Sequence, residues 1–152
     1  MKMLLLMAFV LGVSNGCGPH ATGPPFSHLE GPETGKVVVY LYLSDTSASA
    51  REMFADASLI TRLVSHSYYR YVTVPGQITF SWGRSTRPQD RVIVRASPDT
   101  THFLKLRFIE HANPFGRSGD FELIPVDEES ALRELPGLHL ILPSDWQGAV
   151  WR

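Results

Sequence analysis

Seven consecutive residues, Val37-Val38-Val39-Tyr40-Leu41-Tyr42-Leu43, are all β-branched, aromatic or leucine. A strand with one wet face alternates apolar and polar side chains with a period of two. A run without that alternation must bury both faces, so it needs other elements above and below it. Gly35 and Ser44-Asp45 bound the run, which gives it the length of an ordinary strand. Any fold for this chain has to place this segment at its centre.

The neighbouring segments follow the same chemistry. Residues 59–64 and 68–74 read as strands, and Pro75-Gly76 predicts a type II turn, with proline fixing φ and glycine taking φ > 0. Ile78, Phe80 and Trp82 alternate with Gln77, Thr79 and Ser81, as in a half-buried strand. Val92-Ile93-Val94 form another, and His102, Leu104, Leu106 and Phe108 alternate with Phe103, Lys105 and Arg107 in a third. Residues 121–126 make a last central strand. Residues 48–57 read instead as a short helical turn, because Arg51, Glu52, Met53 and Ala55 all favour helix. Asp127 is a good N-cap, Glu128 and Glu129 suit the positive end of a helix dipole, and Ala131, Leu132 and Leu135 give an apolar stripe stopped by Pro136-Gly137. Residues 138–142 can add a terminal strand. About seven strands with one short helix near the C-terminus predict a mainly β fold, a small antiparallel β-sandwich.

The N-terminus carries a different signal. Lys2 is followed by an apolar run over residues 4–13, the length and composition of a signal-peptide core. Spanning a bilayer needs about 20 apolar residues, so this run is too short to cross one. Ser14-Asn15-Gly16 favour a turn, and Cys17 is the chain's one cysteine. Val13-Ser14-Asn15-Gly16-Cys17 resembles a bacterial lipobox, although Ser14 stands where lipoboxes usually have leucine. Ser14-x-Gly16 also fits an ordinary secretory cleavage site, and both readings remove residues 1–16 as a signal peptide. The lipobox resemblance implies lipidation of Cys17, and a lone cysteine has no disulfide partner inside the chain. The alternative is a secreted protein with one free thiol. Stable anchoring takes more than one acyl chain, and a lipoprotein cysteine carries two or three. By the sorting rule of Gram-negative lipoproteins, Gly18 rather than Asp after the cysteine implies the outer membrane, facing the periplasm. Residues 18–35 hold four Gly and four Pro without apolar periodicity, so residues 17–35 read as a flexible tether and 36–152 as the domain. As a coil, the tether would reach on the order of 20–25 Å.

Val72-Thr73-Val74-Pro75-Gly76-Gln77-Ile78-Thr79-Phe80 is similar to the valine-proline-glycine core of a bacterial lipoprotein family, domain-of-unknown-function family 2846. Val38-Val39-Tyr40-Leu41-Tyr42 resembles its first strand, and Phe121-Glu122-Leu123-Ile124-Pro125-Val126 running into Glu128-Glu129-Ser130-Ala131-Leu132-Arg133-Glu134-Leu135 resembles its close. The likeness covers roughly residues 36–142. The family often shows an Asp-Gly hairpin before the proline-glycine turn, where this chain has Ala55-Asp56-Ala57-Ser58. The resemblance implies a small sandwich and an envelope lipoprotein, and it brings no catalytic residues.

The formal charge is −1, and no block of like charge exceeds Asp127-Glu128-Glu129. This argues against nucleic acid as a partner and against a polybasic membrane patch. The six histidines, His20, His28, His66, His102, His111 and His139, show no metal-ligand spacing. No G-x-S-x-G elbow and no phosphate-binding glycine loop is present, so no catalytic residue, cofactor or metal is expected. Tyr69 and Tyr71 would share one strand face and Tyr68 the other, as packing residues. Residues 143–152 hold two of three tryptophans, Trp146 and Trp151. They either cap the sandwich or dock a partner. Together these features predict a membrane-anchored, non-catalytic binding or accessory module, with an envelope protein or polymer as partner. The alternatives are an envelope hydrolase with a site assembled from distant residues, and a small-ligand carrier.

Overall fold

The computed structural model describes residues 19–46, 49–84, 87–112, 114 and 118–147. Among them the strands are β1 (Val37–Leu43), β2 (Arg51–Ala55), β3 (Ser58–Leu63), β4 (Ser67–Thr73), β5 (Gly76–Trp82), β6 (Arg91–Ala96), β7 (Thr100–His111), β8 (Ser118–Val126) and β9 (His139–Leu140). The α-helices are α1 (Glu128–Glu134) and α2 (Ser144–Gln147). One sheet has the order β8-β7-β1-β4-β9 and the other β3-β2-β5-β6, so the fold is a mainly β, two-sheet sandwich.

β1 is the central strand of the larger sheet, and all seven of its residues are buried. Val37, Val39, Leu41 and Leu43 face the second sheet and join Met53, Leu63, Phe80, Leu104, Leu106 and Phe121 in the main core. Val38, Tyr40 and Tyr42 face the other way, where Ala131 of α1 and Leu135 at its C-cap cover them together with Phe103, Tyr68 and Leu138. Tyr40 stacks on Phe103 at 5.6 Å. The helix forms as its cap predicts, with the Ser130 N–H donating to the Asp127 carboxylate at 2.8 Å.

Several expectations are corrected. β1 pairs with β7 in parallel, and so do β4 and β9, so the larger sheet is mixed rather than antiparallel. Parallel neighbours need a long crossover, and here the whole second sheet lies between β1 and β7 in the chain. Residues 51–55 are a strand and not a helical turn, because Met53 and Ala55 fill the core at a spacing of two. Tertiary burial outweighs a helix preference of a few tenths of a kcal/mol per residue. β2 and β3 form a hairpin over Asp56 (φ +46°) and Ala57 (φ +67°), the two positive dihedrals of a tight hairpin turn. Pro75-Gly76 does not make a type II turn. It carries the chain from one sheet to the other, and Gly76 has φ +145° rather than about +80°.

The largest correction concerns the tether. Residues 23–26 lie beside β9 as an added edge, with Gly23 N–H donating to the Leu140 carbonyl (3.0 Å), Leu140 N–H to Pro24 (3.0 Å) and Phe26 N–H to Leu138 (2.8 Å). A Cβ at position 23 would collide with the Leu140 carbonyl, which explains a glycine there. Phe26 and Leu29 pack on the outer core, and Phe26 meets Tyr68 edge-on at 5.5 Å. The Tyr40 hydroxyl donates to the Glu30 carbonyl and accepts from its N–H, both at 3.0 Å. Gly and Pro, which suggest a coil when counted, here permit close approach and remove donors along an edge.

Two substitutions test this backbone with opposite signs. Gly76→Val places a β-branched residue in a glycine-only region, and the melting temperature should fall by roughly 3–10 °C. Ala57→Gly relieves a left-handed alanine, and thermal unfolding should shift upward by a few degrees.

Candidate functional site

Two features of the sandwich stand out, on opposite edges of the larger sheet. The first is the entry of the N-terminal segment. Leu43 pairs with Ser67, Ser67 with His139 and His139 with Pro25, so residue 25 is level with the end of β1 and residues 24 to 21 run back along the β9 edge toward the start of β1. Ala21 packs on the main core. The Thr22 N–H and hydroxyl both donate to Asp145, at 3.1 and 2.5 Å, while the Leu142 N–H donates to the same carboxylate at 2.8 Å. Burial raises the Asp145 pKa, but these three donors outweigh it and hold the carboxyl below its ordinary value. The chain's first described segment and its last are therefore tied together.

The second feature is a hollow of about 450 Å³ on the second sheet, lined by Ser49, Ala50, Arg51, Glu52, Arg62, Trp82 and Gly83. Arg51 continues the inward row of Met53 and Ala55, and Trp82 continues that of Ile78 and Phe80. The Arg51 guanidinium lies over the Phe121 ring, 4.4 Å from its centre, and Trp82 meets the same ring edge-on at 5.8 Å. Phe108 closes the cluster at 5.2 Å from Phe121. Arg62 is neutralised by Glu52 at 3.0 Å. Arg51 is not: it forms no ion pair and no hydrogen bond among the described residues, and its Nε and the Trp82 Nε1 are buried without partners.

That arrangement is expensive for a protein by itself. A cation taken partly out of water loses solvation, and burial lowers the pKa of Arg51 from its ordinary value. A ring face returns about 0.5–2 kcal/mol to a cation above it. The polar residues lining the hollow are Ser49, the Arg62–Glu52 pair, Arg51 and Trp82.

Of the residues that sequence reasoning singled out, Trp146 lies on α2, half-buried against the main core, so it caps the sandwich. Cys17 and Trp151 fall outside the described residues. Tyr69 and Tyr71 pack on the main core and Tyr68 on the outer one. His102 is partly buried beside the Thr100 hydroxyl at 3.1 Å. Among the described residues no three His, Cys, Asp or Glu side chains gather as metal ligands, and no helix is long and apolar enough to cross a membrane. Arg51, Trp82 and Phe121 were missed as a group. The signal was a charged residue in a row of inward positions, hidden by reading that row as helix.

Replacing Trp146 with alanine should cost about 1.5–3 kcal/mol in a urea titration of the full chain, since the indole covers core. An unchanged midpoint would mean the tail does not close the sandwich. No protein-family model matches this chain and no curated protein does, so its likeness to domain-of-unknown-function family 2846 rests on the quoted motifs alone.

Proposed function

We propose that this chain is a membrane-anchored envelope lipoprotein whose sandwich is a non-catalytic binding module, held by acyl chains on Cys17. The observation that carries the reading is the docking of residues 21–31 on the sandwich, with the one cysteine of the chain four residues before Ala21. Four residues of extended chain reach at most about 14 Å. An anchor on Cys17 would therefore hold the domain close to the bilayer, instead of suspending it on a coil. A short entry of this kind suits a module that presents a surface close to the membrane. The hollow beside Arg51 and Trp82 offers a concave surface for such binding. The partner on this reading is an envelope component within reach of the membrane surface, on the periplasmic side of the outer membrane.

Metabolic labelling with radioactive palmitate tests the anchor. The wild-type chain should take up label and sediment with the outer-membrane fraction, while Cys17→Ser should do neither. Label on the serine variant, or none on the wild type, would overturn the assignment.

A further inference from the structure

We propose that the free edge of β6 takes an extended peptide segment of a partner protein as an added antiparallel strand, one that sets an acidic side chain opposite Arg95 and apolar side chains inward. The site is separate from the hollow beside Arg51 and does not depend on how the chain is anchored, so it stands or fails independently of the lipoprotein reading.

The first observation is the direction of the backbone. β6 ends the second sheet and pairs only with β5. Thr79 of β5 is engaged on its other side. The Asp56 N–H donates to the Thr79 carbonyl and the Thr79 N–H to the Asp56 carboxylate, both at 2.9 Å. Backbone groups alternate sides along a strand, so Ile78 and Phe80 turn theirs to β6, where they meet Val94 and Val92. Arg91, Ile93 and Arg95 therefore point their N–H and carbonyl groups away from the sheet. The Arg91 N–H is taken by the Pro88 carbonyl. The backbone groups of Ile93 and Arg95 have no partner among the described residues. A row of such groups is a template for another strand. The larger sheet covers its β9 edge with residues 23–26 and carries Pro125 on β8. β6 has no proline, and among the described residues no strand covers it.

The second observation is a groove beside this edge. It has a volume of about 400 Å³ and is lined in part by Val92, Val94, His102, Leu104, Pro125 and Val126. Alternate side chains of an added strand would enter it next to Val92 and Val94. On the solvent side Ile93 is 59% exposed, and the residue opposite it would cover it.

The third is charge. Arg91 and Arg95 stand exposed on the outer face, on either side of Ile93. Arg95 forms no ion pair among the described residues. The β5 residues paired with these three are Ser81, Thr79 and Gln77, all uncharged. Asp127 and Glu128 line the far lip of the groove, so they disfavour acids pointing inward and leave the outer positions for them. A second copy of the chain fits less well. Antiparallel pairing about Ile93 would set Arg91 opposite Arg95 twice, and like charges directly opposite destabilise a sheet.

The probe is the capped peptide acetyl-Ser-Glu-Val-Leu-Val-Glu-Ser-amide, titrated into the full mature chain carrying Cys17→Ser. Hydrogen exchange followed by nuclear magnetic resonance should show the Ile93 and Arg95 amides slowed at least about tenfold by the peptide, as new strand hydrogen bonds require. A peptide with Lys in place of both Glu should bind about tenfold more weakly, since favourable cross-strand pairs become repulsive. Arg95→Glu should reverse that preference. A peptide with Pro in place of Leu should lose binding, because proline cannot donate to the Ile93 carbonyl. Arg107→Gln, on the outer face of β7, should leave binding unchanged. Circular dichroism checks that each variant is folded. Should Arg95→Glu fail to fold, the lysine and proline peptides on the unsubstituted arginine decide. Unchanged exchange at Ile93 and Arg95 would overturn the proposal, as would equal binding of the acidic and lysine peptides or of the leucine and proline peptides. Protection of both amides without peptide, in a chain that sediments as a dimer, would also overturn it and assign the edge to a second copy.

Discussion

β1 turns no face to water. Its valines and leucines at alternate positions meet the second sheet, and its Val38, Tyr40 and Tyr42 meet α1 and the N-terminal segment. Each large apolar side chain buried in this way contributes about 1.5–3 kcal/mol relative to exposure, so leaving either face open would forfeit several such terms. The rest of the molecule is arranged to prevent that. β2, β3, β5 and β6 exist as a cover for one side, and a seven-residue helix too short to be stable by itself covers part of the other. The cover on the outer side also shields polar atoms. The Tyr42 hydroxyl is buried there without a partner, its pKa raised by burial first and then by Glu134 and Asp127. Lys105 reaches Glu134 at 2.5 Å across the same surface.

The N-terminal segment answers three requirements at once. Its backbone pairs with β9 and so removes an open edge from the larger sheet, which would otherwise invite pairing with another chain. Phe26 and Leu29 complete the outer core. Its bonds to Asp145 set where the chain leaves the body. The functional reading depends on the last of these, because a segment that is part of the fold keeps the domain close to Cys17 and a coil does not. Arg51, without a counter-ion among the described residues, is the clearest departure from an ordinary sandwich interior.

Patterns of period two and strong local chemistry were readable from residues alone. The central strand, the alternating Ile78-Phe80-Trp82 row and the Asp127 cap all stand where their side chains imply. The misreadings share a cause. Residues 51–55 have helical propensities, and residues 18–35 have the composition of a linker, and both signals are local and weak compared with burial. Gly23 illustrates the ambiguity: glycine serves a coil through freedom and serves a packed edge by having no Cβ, and only its contact with Leu140 distinguishes the two. The hollow beside Arg51 was hidden for the same reason, since Arg51 points inward only if its segment is a strand.

The amino-acid sequence by itself determined that this chain must bury one strand on both faces, that it folds as a mainly β sandwich with a capped helix late in the chain, and that its lone cysteine follows an apolar run of residues. These follow from side-chain type and spacing, which act over a few residues. Tertiary structure alone decided the parallel pairing of β1 with β7, the passage of Pro75-Gly76 between sheets, the docking of residues 21–31, and the meeting of Arg51, Trp82 and Phe121. Each of those joins residues far apart in the chain. Their energy comes from area removed from water when whole surfaces meet, a quantity that no local pattern contains.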